Sequence, residues 1–69
     1  MFYLYFDRDL IAQSEKFSEI ADIIIVEILN NCESALDIVF YVVNGLLAHD
    51  HALVNLMDST LEVYYGRNS

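Results

Sequence analysis

HDHALVNLMDSTLEVYYG, residues 49–66, is the stretch on which the architecture turns. Read at about 100° per residue, Leu53, Leu56, Met57, Leu61 and Tyr64 recur at helical spacing from Asp50 onward. Gly66 then stands where a left-handed C-terminal cap belongs. The opposing reading ends the helix at Asp58–Ser59 and leaves TLEVYY as a strand. That strand could pair with the N-terminal FYLYF as a two-stranded ribbon, within one chain or across a dimer. The helical reading is preferred, so the expected fold is mainly α: a small three-helix domain, residues 1–69, with a short N-terminal β-strand.

The same stretch opens on His49–Asp50–His51, two histidines around a carboxylate. If a helix starts near Asp50, that aspartate is its N-cap and the histidines flank it on different sides. Residues two apart on a helix do not face each other, and a ligand pair would want a spacing of three or four. Zinc needs three or four donors, and only Cys32 and scattered carboxylates remain to supply them. Cys32 with a histidine lacks any marked orienting group or oxyanion site, and is read as a small core residue. Gly45 and Gly66 are isolated, so no phosphate loop exists. No catalytic residue, metal or cofactor is assigned, and the chain is expected to be no enzyme.

Working outward, IVFYVVNGLLA (residues 38–48) is apolar nearly all round. A helix begins at Ser34, where SALD resembles a capping box with the Asp37 carboxylate reaching back. Only Asp37, Tyr41, Asn44 and Ala48 form a polar or small stripe on it. The rival is a strand, DIVFYVV, turned by Asn44–Gly45. Upstream, Leu10 to about Asn30 is read as a further helix with Leu10, Phe17, Ile20, Ala21, Ile24 and Ile28 on one face. Its β-branched run IIIV speaks for a strand, but length and the polar face decide for helix. Asn30 and Asn31 end it. FYLYF alternates Phe2, Leu4 and Phe6 against Tyr3 and Tyr5, a strand signature, and Asp7 or Asp9 could cap the helix after it.

Composition narrows the function classes. Sixty-nine residues bury only about 60% of the surface their unfolded chain exposes, so a monomeric core is thin. Apolar residues make up 57% of the chain, and one cysteine excludes an internal disulfide. Both point to a partner chain, and a homo-oligomer is expected. The lone thiol also fits a reducing compartment. The central apolar run is too short to span a bilayer, and the N-terminus lacks a basic, cleavable leader. A soluble, cytoplasmic protein is expected.

Eleven Asp and Glu against three Lys and Arg leave a net charge of −8. Direct nucleic-acid binding and anionic membranes are thereby disfavoured. Glu15, Glu19 and Asp22 follow a four-then-three spacing on the expected first helix, with Glu27 on the same polar side. Like charges so placed do not serve stability, and these four residues are the expected partner-binding surface. The expected function is a non-enzymatic interaction module whose acidic face binds or blocks a basic protein, a nucleic-acid-binding one being one such partner, either by imitating a nucleic-acid backbone or by complementing the partner's charge. An immunity- or antitoxin-like protein that binds a cognate toxin, and a structural oligomerisation module, are the alternatives. In size and acidity the chain is similar to the small inhibitors that phages and mobile elements direct at nucleic-acid-binding host proteins, with no shared motif.

Overall fold

The computed structural model describes residues 1–66, and its elements run β1 (Phe2–Phe6), β2 (Asp9–Ser14), α1 (Phe17–Asp22), α2 (Ala35–His49), β3 (His51–Asn55) and β4 (Thr60–Tyr65). Helix α1 continues directly into a π-helical stretch, Ile23–Ile28. The four strands form one antiparallel sheet in the order β2-β1-β4-β3, so the first and last strands pair at its centre. Strand accounts for 33% of the described residues, which makes this an α+β domain and not the expected mainly-α three-helix domain.

The correction has two parts. The expected third helix is the β3–β4 hairpin, with Asn55 paired to Thr60 and the Leu56 N–H donating to the Ser59 carbonyl at 2.8 Å. The strand alternative for TLEVYY is therefore the one adopted, with β1 as partner within the chain. The expected first helix starts late, because Leu10 to Ser14 belong to β2. Asp7 and Arg8, at φ 50° and 72°, form the two-residue turn between β1 and β2. Two central residues at positive φ match the right-handed twist of the strands they join. Asp7 caps no helix; its Oδ1 accepts the Thr60 N–H at 2.9 Å and ties that turn to β4.

Other local expectations hold in part. Residues 38–43 are helical, Asn44–Gly45 makes no turn, and Ser34 is the N-cap of α2, though without a side-chain cap hydrogen bond. Asn30 and Asn31, both at positive φ, end the first helical segment. Gly66 caps no helix and has no positive φ; its N–H donates to the Met1 carbonyl beside the sheet.

Both helices lie on one face of the sheet. Leu4, Ala52, Leu61 and Val63 from the strands meet Ile20 and Ile24 from the first helical segment and Val42 and Leu46 from α2. Phe2, Phe6 and Val54 extend the strand side of this core. Strand residues alternate between faces, so the intervening ones project away from the helices. That alternation creates the open side of the protein.

Candidate functional site: an open tyrosine face

Tyr3 and Tyr5 on β1, Glu62 and Tyr64 on β4, and His51 and Leu53 on β3 share the sheet side that no helix covers. Register brings them together: Tyr3 pairs with Tyr64, Tyr5 with Glu62, His51 with Tyr64 and Leu53 with Glu62. The Tyr64 ring packs edge-on to Tyr5, centroids 5.5 Å apart at 83°. Its other neighbour is the His51 imidazole, stacked at 4.3 Å and 17°. Such aromatic pairs add to what burial alone supplies.

Glu62 is the polar centre of this face. The Tyr64 hydroxyl donates to its Oε2 at 2.7 Å, and His51 Nε2 lies 3.3 Å from the same oxygen. The Tyr64 bond holds the Glu62 pKa below its ordinary value against the opposing effect of burial, with help from His51 and the Arg8 charge. The same bond raises the Tyr64 pKa, because ionising the phenol would set two anions side by side. Both shifts run away from neutrality, whereas a general acid or base works best with its pKa near the operating pH.

A hollow of about 380 Å³ opens between Tyr3, Tyr5, Arg8, Glu62 and Tyr64. It is wide and shallow, while small-molecule sites bury most of their ligand.

The sequence-derived site residues are exposed, but they do not form the expected ladder. Glu15 lies in the bend before α1, off any helix, so of the four-then-three spacing only the step from Glu19 to Asp22 falls on a helix. Glu19 is on α1 and accepts the Ser14 hydroxyl at 3.1 Å, Asp22 ends that helix, and Glu27 sits in the π-helical stretch. Glu27 borders a separate hollow with Phe6, Ile11, Ile23 and Ile28.

His49, Asp50 and His51 divide among three roles. His49 closes α2 and is exposed. Asp50 is the left-handed C-cap of that helix, at φ 57°, and not the N-cap of a third. Its N–H donates to the Leu46 carbonyl at 3.0 Å, and its own carbonyl accepts the Tyr65 N–H at 2.9 Å. His51 begins β3 and joins the open face. Cys32 is exposed rather than a core residue, with Sγ 3.5 Å from the Ser34 hydroxyl. Among the described residues no group of three or more His, Cys, Asp or Glu could hold a metal, and no helix is long and apolar enough to cross a membrane.

No protein-family model, curated protein or solved structure matches this chain.

Sequence reasoning missed the open face because it folded Glu62 and Tyr64 into a helix. The available signal was the every-second-residue pattern of Tyr3, Tyr5, Glu62 and Tyr64.

Proposed function

We propose that the protein is a non-enzymatic interaction module that binds a basic protein through the open tyrosine face. The observation that carries this is the cluster around Glu62 on the sheet side away from the helices, where Tyr64 and Leu53 are exposed and Tyr5 is half-buried, on a chain of net charge −8. Tyrosine is favoured at protein interfaces, where its ring supplies area and its hydroxyl a polar contact. Aromatic sheet faces also serve single-stranded nucleic acids, but those sites need a cationic groove to follow phosphates. Among the described residues Arg8 is the one cation beside this face, so a polyanion would be repelled. A lysine or arginine of the partner would instead meet tyrosine rings and the Glu62 carboxylate together. Inhibition of a nucleic-acid-binding protein and neutralisation of a toxin are two uses of this same contact.

In this reading Glu15, Glu19, Asp22 and Glu27 steer the encounter without forming its centre. Charges at a rim act mainly on association rate and salt dependence, whereas buried anchors act on dissociation. The test is surface plasmon resonance against the partner recovered by affinity capture. Tyr64→Ala and Tyr5→Ala should each raise the dissociation rate and weaken affinity at least roughly tenfold, about 1.4 kcal/mol. Reversing Glu15, Glu19 and Asp22 to lysine should instead slow association, most at low salt, while the fold changes by less than about 0.5 kcal/mol. Full affinity in both tyrosine variants would sink the assignment of this face.

A further inference from the structure

Helix α2 buries Ala35, Val42 and Leu46, yet the flank next to that buried face is apolar as well. Leu36, Phe40 and Leu47 are 62%, 65% and 82% exposed. With half-buried Val43 they stand at spacings of four, three and four, which aligns them as one seam down the helix. Charge is nearly missing there: from Ser34 to His49 the only carboxylate is Asp37.

We propose that this seam is a homodimer interface, with α2 of one copy packed antiparallel on α2 of a second across a two-fold axis. The seam is self-complementary in that arrangement. Leu36 meets Leu47 of the partner subunit and Phe40 meets Val43 of the partner subunit, so a large side chain faces a small one at the centre. A two-fold contact requires such a surface, since each copy presents the same patch. A parallel pair would set Phe40 against itself and align the two helix dipoles.

Charge distribution selects a second copy over a basic partner. A cationic protein is drawn to carboxylates, and most of those lie elsewhere, Glu15, Glu19, Asp22 and Glu27 before and along the first helical segment and Asp58 in the β3–β4 turn among them; near the seam stand only Asp37 beside it and Glu33 and Asp50 at its two ends. Two copies of net charge −8 repel, and can approach only where the facing surfaces are close to neutral. The α2 seam is such a surface.

Area sets the strength. Fifteen helical residues extend about 22 Å, and a contact strip as wide as the helix itself, about 10–12 Å, hides about 500 Å² over both copies. A standard stable interface buries about 1,200–2,000 Å². The dimer is therefore weak and reversible, with a dissociation constant on the order of micromolar rather than nanomolar.

Sedimentation analysis of the full chain under reducing conditions, from roughly 5 to 500 µM, tests this together with an NMR dilution series. Reductant is needed because Cys32 is exposed and could cross-link copies. The mean mass should climb from one 7.9 kDa chain toward two as concentration rises. Shifts on dilution should concentrate at Leu36, Phe40, Val43 and Leu47. Phe40→Glu and Leu47→Glu should each hold the protein monomeric throughout. Met57→Glu, at a side chain 102% exposed but off the seam, should leave the dimer intact. A parent chain that stays monomeric across the range overturns the proposal. So does a dimer that survives both seam substitutions, or one whose dilution shifts fall on the tyrosine face. The dilution series reads the parent chain itself, so a variant that fails to fold does not shelter the idea.

Discussion

Glu62 accepts the Tyr64 hydroxyl at 2.7 Å, and that one bond perturbs both partners. The Glu62 pKa is lowered from 4.5, so the ionised form is favoured by folding. Its contribution to stability is complete above pH 4.5 and is lost as pH falls through the lowered folded value. Tyr64 behaves in the opposite sense, its pKa being raised from 10.0. Its contribution is complete below pH 10.0 and is lost as pH rises through the folded value. Glu62→Gln removes the charge and keeps the shape. The Tyr64 ring, followed by NMR, should then titrate closer to 10.0, and the loss of thermal stability in acid should become shallower. An unchanged Tyr64 titration would mean that this hydrogen bond is not formed in solution. The every-second-residue spacing of Glu62 and Tyr64 does not decide the pairing by itself, because the same stretch also satisfies a helical period.

Among the elements, α2 shows how one residue sets a packing distance. Gly45 should weaken a helix by about 1 kcal/mol relative to alanine. Here it faces β3: a Cβ at this position would lie 2.8 Å from the Ala52 Cβ and 3.0 Å from the His51 carbonyl oxygen. The helix lies so close to the strand because this side chain is missing. Gly45→Ala should therefore destabilise the protein by about 1–3 kcal/mol despite better helix propensity, since overpacking against backbone cannot relax cheaply. Chemical denaturation checks it, and a stabilised variant would show that the α2–β3 spacing is soft. Strand β2 has its own irregularity. Leu4 pairs with Ala12 and Tyr5 with Leu10, leaving Ile11 as the extra residue of a bulge on an edge strand. Bulges of this kind bend an edge away from unwanted pairing.

At the scale of the whole molecule, charge dominates. The Cα radius of gyration is 11.0 Å, and among the described residues the only side-chain pair within ion-pair distance is His51 with Glu62, an ion pair only when the histidine is protonated. At 0.01 M salt the screening length is about 30 Å, so every carboxylate feels every other. At physiological ionic strength it falls to about 8 Å, shorter than the molecule. Added sodium chloride should therefore raise the melting temperature at neutral pH by relieving self-repulsion. A melting temperature that drops with salt would mean that attractive pairs outweigh repulsion, contrary to the charge count. Two layers with helices on one face also leave little room to hide 57% apolar residues. The exposed Leu36, Phe40 and Leu47 are the consequence.

Some of this was set by the sequence alone. Net charge needs no fold. The alternation of FYLYF marks β1 by itself, and paired asparagines end the first helix because they tolerate positive φ. The segment from Ser34 is helical as its length and apolar faces imply. Tertiary structure alone decided residues 51–55 and 60–65. Leu53, Leu56, Leu61 and Tyr64 satisfy a helical period, while Leu61, Val63 and Tyr65 satisfy a strand period equally well. A helix makes its hydrogen bonds within a few residues, but a strand makes them only with a partner. For β4 one partner is β1, at the other end of the chain, and pairing there buries Leu61 and Val63 beside Leu4. That gain belongs to no local window, so no local pattern could weigh it. The tyrosine face came with the same choice, because register and not composition set Tyr3, Tyr5, Glu62, Tyr64 and His51 side by side.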